Sequence, residues 1–151
     1  VFVMDEQQHC IYMNPAAEVL TGYMLAETQG RPLHDVVHHT YPDGRPFPIH
    51  ECAIDRAFPQ NNKEQGEEVF VHKDGSFYPI AFTASPIRDE DAKTIGTIIE
   101  VRDISSEKAA KERQALLISE LHHRVKNTLA TVQSVMNFTI RTSDNMEAFE
   151  R

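Results

Sequence analysis

A β-hairpin is predicted by Glu68-Val69-Phe70-Val71-His72-Lys73-Asp74-Gly75-Ser76-Phe77. Its first half is rich in β-branched and aromatic residues, which favour a strand, and the Asp-Gly pair is a strong turn signal. Side chains alternate between the two faces of a strand. The returning strand, residues 77–87, therefore places these apolar residues on one face: Tyr78, Ile80, Phe82 and Ala84.

Three further strands are predicted around this hairpin. Residues 94–101 are rich in isoleucine and threonine and follow a polar turn at 88–91. Residues 1–4 and 10–13 are short strand candidates on either side of another polar turn. The hairpin and the strand after it indicate an antiparallel sheet, covered on one face by short helices.

Two short helices are predicted before the hairpin. Asn14 is suited to cap a helix that has Pro15 at its first position and ends near Gly22. A second helix is predicted over residues 51–58. The stretch between them, residues 30–48, is rich in Pro, Gly and His and is not expected to contain long regular elements.

The composition changes from Ser106 onward to residues that favour helix, and neither Pro nor Gly follows Ser105. Residues 107–114 are therefore expected to join the following segment in one long helix. A break is predicted at residues 141–145, because Asp144 and Glu147 resemble a capping box that starts another helix.

The long helix is predicted to be amphipathic, since apolar residues recur in steps of three and four. At about 100° per residue, His123 lies roughly opposite the centre of this stripe, and Asn127 lies one turn further along the same face. His122 lies beside the stripe. An exposed histidine is ordinarily just a solvated side chain, although a neutral imidazole can act as a nucleophile. The stripe consists of Ile118, Leu121, Val125, Leu129, Val132 and Met136.

Composition restricts the class of protein. The 151 residues are 40% hydrophobic and 25% charged, as in soluble globular proteins, and carry a net charge of −8. This charge argues against binding to nucleic acid or to an anionic membrane. We found no apolar run of about 20 residues and no signal peptide. Cys10 and Cys52 do not make a disulfide scaffold, so a cytoplasmic location is expected.

Residues 120–134 resemble the phosphoacceptor box of bacterial sensor histidine kinases. The similarity is greatest to the branch with His-Arg-Val-Lys-Asn, here residues 123–127, which includes the HWE group. The resemblance implies that His123 is the phosphorylated residue, with Asn127 and Arg124 as further site residues. In the more widespread box an acidic residue that acts as a base follows the histidine. Arg124 stands there in this chain, so that role does not transfer to it.

Residues 1–105 resemble a PAS domain. The supporting phrases are residues 14–18 with 21–23, residues 73–77, and residues 96–105. The resemblance implies an α+β fold with a five-stranded antiparallel sheet and short helices around a small cavity. The phrase Asp103-Ile104-Ser105 is similar to the exit of PAS domains, where a signal passes into the next helix.

Together, the two resemblances imply a PAS sensor domain at 1–105 and a helical signalling linker at 106–115. Residues 116–151 would be the first helix and turn of a dimeric helical-hairpin domain for histidine phosphotransfer. We expect a homodimeric sensor histidine kinase of a two-component system. ATP and Mg would be bound elsewhere in the full-length kinase, and the partner would be a response-regulator receiver domain.

No ATP-binding box or phosphate-binding Gly-rich loop occurs in this sequence. We therefore expect this chain alone to be inactive as a kinase. The alternative is a non-catalytic PAS adaptor that dimerises or relays phosphoryl groups.

The ligand of the PAS cavity is not assigned by the sequence. Light-sensing PAS domains that form a flavin adduct contain a phrase similar to Gly-Arg-Asn-Cys-Arg-Phe-Leu and a Gln in the last strand. The corresponding phrase in this chain is residues 30–36. Leu33 replaces that cysteine and Val101 stands where the Gln would be. Flavin-adduct chemistry is therefore not expected, whereas non-covalent flavin stays open.

A haem would need an axial histidine, for which His34, His38, His39 and His50 are available. A metal ion could instead be bound by His38, His39, His50 and Cys52, but their spacing matches no standard zinc pattern. We expect no metal: residues 41–48 form an ordered loop, and Cys52 packs as a small apolar residue. The candidate ligands that this expectation leaves unused are His34, His38, His39, His50 and Cys52.

Overall fold

Five antiparallel strands form one sheet in the computed structural model, which describes residues 1–57 and 63–149 and the side chains of 1–56 and 63–139. The order across the sheet is β2-β1-β5-β4-β3. The five-stranded antiparallel sheet expected for residues 1–105 is confirmed. The strands are β1 (Phe2–Met4), β2 (Cys10–Met13), β3 (Glu64–Val71), β4 (Phe77–Arg88) and β5 (Thr94–Asp103).

The predicted hairpin joins β3 to β4. The backbone N–H of His72 donates to the carbonyl of Ser76 over 2.8 Å, and Asp74 accepts from the N–H of Ser76. Gly75 has φ +88°, which glycine adopts without a steric penalty. Strand β3 begins at Glu64, earlier than predicted. Residues 64–67 are polar or glycine and have weak strand propensity, but their pairing with β4 keeps them extended.

The first predicted helix is confirmed as α1 (Pro15–Thr21). Asn14 Oδ1 accepts from the backbone N–H of Ala17 over 3.0 Å. Gly22 ends the helix with φ +77°. Two helices that we did not predict follow it, α2 (Leu25–Thr28) and α3 (Leu33–Val37).

The helix predicted over residues 51–58 is divided in two. A short 3-10 helix occupies Ile49–Glu51, and α4 occupies Ala53–Ala57. Cys52 lies between them and has an extended backbone. Phe58, the last residue of the prediction, lies outside the described residues.

The core lies on the helical side of the sheet. In β4 the predicted apolar face is confirmed, since Ile80, Phe82 and Ala84 are buried, while Tyr78 is partly buried beside them. The helices supply the other side of the core, notably α3. Its buried residues are Leu33, His34, Val36 and Val37.

A single long helix, α5 (Ser105–Phe149), follows the sheet. The expected continuity of the linker and the histidine segment is confirmed. The break predicted at residues 141–145 is wrong, because the backbone stays helical there. Polar residues such as Thr142 and Asn145 are weaker helix formers than alanine, but by less than about 1 kcal/mol each, and neither Pro nor Gly interrupts them. The side chains of Asp144 and Glu147 lie outside the described residues.

Contacts divide the chain into two units, Val1–Ser106 and Glu107–Arg151. The assignment of a signalling linker and a phosphotransfer domain within the second unit stays a prediction. Among the described helices, none combines the length and the apolar character that crossing a membrane requires.

Candidate functional site

His123 lies on the exposed surface of α5. Asn127 is one helical turn further on, and its Nδ2 lies 3.4 Å from Nδ1 of His123. Residues four apart on a helix are neighbours, so this contact follows from the register of the segment. The chemical roles of both residues stay predictions.

Arg124 forms an ion pair within the same helix. Its Nη2 lies 2.5 Å from Oε1 of Glu120, one turn earlier. Both side chains are largely exposed, and a pair of this kind contributes about 0–1 kcal/mol to stability. Glu120 is an acidic residue on the turn of α5 before His123, and the sequence reasoning did not single it out. Its position three residues before His123 was the available signal, because such residues share a helix face.

The apolar stripe is exposed along α5. Its six side chains retain between 45% and 60% of their accessible surface. An open groove beside the stripe is lined by His122, Val125, Lys126, Leu129, Ala130 and Gln133. His122 thus lies beside the stripe as predicted, on a different side of the helix from Asn127.

The sheet unit contains a small cavity with a volume of about 10 Å³. Leu33 lines it, and Val101 packs against the surrounding core. Neither side chain can form a covalent flavin adduct or donate a hydrogen bond. The remaining residues that line the cavity are Met4, Gln8, His34, Val37, His38, Cys52, Ile54, Asp55 and Phe70.

Three of the five candidate metal ligands come together at this cavity. His34, His38 and Cys52 are all buried, with donor atoms within 4.8 Å of one another. His39 and His50 are exposed and lie outside this cluster. The metal-ligand group suggested by the sequence is therefore corrected: His38 and Cys52 lie together with His34, and not with His39 and His50.

The histidines of the cluster have different protonation. Burial lowers the pKa of His34 below its ordinary value. Burial also lowers the pKa of His38, but its hydrogen bonds to Cys52 and Glu68 outweigh burial and raise the pKa to about 9. At neutral pH, His34 is thus neutral and His38 is protonated.

Comparison with known proteins agrees with this architecture. Residues 1–104 match the family model described as PAS fold. The chain belongs to the PAS family. Residues 120–151, which include His123 and Asn127, match the family model described as HWE histidine kinase.

Two relatives are named histidine kinases. The signal transduction histidine-protein kinase AtoS of Escherichia coli (strain K12) is 26% identical over 159 aligned positions, covering 95% of this chain and 24% of the relative. The blue-light-activated histidine kinase of Brucella ovis is 39% identical over 51 residues, covering 34% of this chain and 10% of the relative. This chain therefore spans less than a quarter of the length of either relative.

A solved structure shares the sheet and helices of the first unit. The PAS domain of a protein from Colwellia psychrerythraea is 27% identical, with a TM-score of 0.57. The alignment covers 70% of this chain and 85% of that domain. The α+β PAS fold is thus shown both by the family match and by structural similarity.

Proposed function

We propose that this chain is the sensory and phosphoacceptor part of a cytoplasmic sensor histidine kinase in a two-component system. The observation that carries the proposal is the sequence His-Arg-Val-Lys-Asn at 123–127, within the residues that match the HWE model. His123 is accessible on a helix, and Asn127 contacts its imidazole. The PAS match by itself concerns only residues 1–104 and does not assign phosphotransfer.

The proposed reaction takes place in two steps. A ring nitrogen of His123 that holds a free lone pair attacks the γ-phosphorus of ATP, the new N–P bond forms, and the bond to the oxygen of ADP breaks. The ring proton passes to solvent or to a nearby base. In the second step a receiver-domain Asp carboxylate attacks the same phosphorus, and the N–P bond breaks. We assign ATP and Mg²⁺ to a part of the full-length kinase outside these residues, where the metal neutralises phosphate charge.

Asn127 offers a way to prepare the imidazole for attack. As it lies here, its NH₂ group faces Nδ1 of His123. Rotating the amide by 180° presents Oδ1 instead, which accepts a hydrogen bond from Nδ1–H. Acceptance by Oδ1 fixes the tautomer in which the distal nitrogen of His123 holds the free lone pair.

The apolar stripe supplies the dimerisation surface of this proposal. Its steps of three and four residues are those of a seam between packed helices. We assign a second copy of the chain as the occupant, because the stripe is self-complementary between two parallel helices related by a twofold axis. Pairing would remove six large side chains from water and leave His123 on the opposite face, accessible to ATP and to a receiver domain.

The input is proposed to differ from flavin-adduct photochemistry. A relative is named a blue-light-activated histidine kinase, but this chain has Leu33 and Val101 at the positions of the two flavin-specific groups. The signal would instead act on the cavity of the first unit and leave through Asp103-Ile104-Ser105. Ile104 is buried, and its N–H donates to the carbonyl of Pro79 in β4, so this exit is tied to the sheet.

Labelling of the full-length protein with γ-phosphate-labelled ATP tests the proposal. We expect an acid-labile phosphorylation that His123→Ala abolishes and the matched variant His122→Ala retains. Labelled protein should then transfer the group to an Asp of a receiver domain. If His123 accepts phosphoryl groups only from another phosphorylated protein, the chain belongs to the adaptor class. Acid-stable labelling, or loss of labelling in His122→Ala alone, would contradict the assignment of His123.

A further inference from the structure

Three side chains of the types that ligate transition metals converge in the first unit. His34 and His38 lie on and immediately after α3, and Cys52 lies between the 3-10 helix and α4. Their exposed fractions are 7%, 3% and 2%. One donor atom from each lies within 4.8 Å of the others. The tertiary fold produces this convergence, since the sequence spacing matches no standard zinc motif.

His34 holds a free ligand atom. Its Nε2 lies 2.9 Å from the backbone carbonyl oxygen of Phe47. A carbonyl only accepts hydrogen bonds, so Nε2 carries the proton and Nδ1 has the lone pair. This Nδ1 is buried and has no hydrogen-bond partner among the described residues. Leaving a buried polar group without a hydrogen bond destabilises a fold, so its presence calls for an explanation.

His38 is oriented on both sides. Its Nδ1 lies 3.2 Å from Sγ of Cys52, and its Nε2 lies 3.3 Å from Oε2 of Glu68. In a metal-bound histidine, the ring nitrogen that does not bind the metal usually donates its N–H to a carboxylate or to a backbone carbonyl. Both histidines of the cluster therefore have the supporting partner that metal ligands have, Glu68 for His38 and Phe47 for His34.

We propose that His34, His38 and Cys52 bind one Zn²⁺ ion in the core of the PAS domain. Nδ1 of each histidine and the Cys52 thiolate are the ligands, so any proton held between Nδ1 of His38 and Sγ of Cys52 leaves to solvent on binding. A fourth position remains for water or for Asp55, which lines the same cavity. One thiolate with two imidazoles suits zinc, and its ligands lie about 3.5 Å apart around the ion. One donor atom from each of the three residues already lies within 4.8 Å of the others, so small side-chain movements bring three ligands to that spacing.

The cavity has the right size for this ligand. Its volume of about 10 Å³ suits a single atom-sized occupant. Cys10 and Cys52 are both buried, as expected for small apolar residues. Cys52 differs from Cys10 because its sulfur contacts the imidazole of His38. This inference replaces the sequence-based expectation of a metal-free domain and does not depend on the proposed kinase function.

Cobalt substitution in the untagged 151-residue chain tests the site. The protein is stripped with a chelator and titrated with Co²⁺, which gives a thiolate-to-cobalt absorption band only when a cysteine ligates the ion. We expect one Co²⁺ per chain with this band, and its loss when Zn²⁺ is added. A folded chain that gives no such band would overturn the proposal.

Matched variants locate the ligands. Cys52→Ser should abolish the band, and Glu68→Gln should lower the metal affinity about 10–100-fold. Cys10→Ser changes the other buried cysteine and should keep the band, as should His50→Asn at an exposed histidine. If Cys52→Ser does not fold by circular dichroism, retention of the band in Cys10→Ser still assigns it to Cys52, because the chain has two cysteines. Loss of the band in Cys10→Ser, or unchanged binding in a folded Cys52→Ser, would overturn the assignment.

Discussion

Asn127 contacts the imidazole of His123 across one helical turn, with Nδ2 3.4 Å from Nδ1. Both side chains are exposed, so the contact contributes little to the stability of α5. The contact instead determines which ring nitrogen of His123 carries the proton. An amide can either donate to Nδ1 or accept from it, and only acceptance leaves the distal nitrogen with a lone pair for attack on phosphorus.

Two substitutions at Asn127 separate these alternatives. Asn127→Ala should lower the rate of His123 phosphorylation or of phosphoryl transfer in the full-length kinase, with a change in unfolding free energy within about 0.5 kcal/mol. Asn127→Asp can only accept a hydrogen bond when ionised, so it should retain more activity than the alanine variant. Rates are measured by labelling with ATP. An Asp variant as slow as the Ala variant would contradict the accepting role, and unchanged rates in both would reduce Asn127 to a surface residue.

The apolar stripe is predicted to hold the chain as a dimer. Val125→Glu combined with Val132→Glu places two carboxylates in the seam, where burying a charge without a partner is costly. We expect light scattering to give the mass of a monomer, with the circular dichroism of the sheet unit unchanged.

The control for this variant places the same charges on the opposite face of α5. Thr131→Glu combined with Ser134→Glu should stay dimeric, because both positions lie away from the stripe. If the variant with Glu at 125 and 132 remains dimeric, the main dimer interface lies in residues 1–106 and not in the stripe.

The sequence predicted the start of α1 and the hairpin turn because each is determined by residues that are adjacent in the chain. Asn14 caps α1 through its own side chain, and Gly75 turns the hairpin through its own backbone freedom. Residues 64–67 lack such signals, and they join β3 because β4 pairs with them over a long sequence separation. The wrong break at residues 141–145 has the opposite cause. A capping pattern is only a preference, and a helix without Pro or Gly continues through it.

The contact between His123 and Asn127 was predictable because both residues lie on one helix, where a spacing of four places them side by side. The cluster in the PAS core was not. His34 and Cys52 are brought together by the packing of α3 against the segment before α4, and no periodicity encodes that contact. The sequence identified the right residue types and grouped them with the exposed His39 and His50.

Illumination of the purified chain should cause no change in its absorption. A flavin adduct needs a cysteine, and Leu33 is a buried aliphatic side chain at that position. The spectrum is recorded before and after blue light, in the presence of added flavin mononucleotide to saturate any non-covalent binding. A reversible loss of visible absorption on illumination would contradict this prediction and would direct attention to Cys10 and Cys52 as the reacting thiols.

Gly22 should be more sensitive to substitution than a glycine of the same backbone conformation. It has φ +77°, where an alanine costs about 1–2 kcal/mol relative to glycine. A Cβ at Gly22 would also lie 2.6 Å from ring atoms of His72 and 3.1 Å from Cβ of Lys73. Gly44 has φ +88°, and apart from its chain neighbours no described residue has an atom within 4 Å of where a Cβ would lie, so it isolates the backbone cost.

Urea unfolding of the two alanine variants measures this difference. Gly44→Ala should lower the unfolding free energy by about 1–2 kcal/mol, as expected for positive φ alone. Gly22→Ala should lower it further, because His72 must leave its position 3.0 Å from Asp74 to make room. Removing the imidazole in Gly22→Ala with His72→Ala should recover part of the additional loss. Equal losses in the two single variants would show that the ring moves aside without cost and that the approach of His72 to α1 does not stabilise the fold.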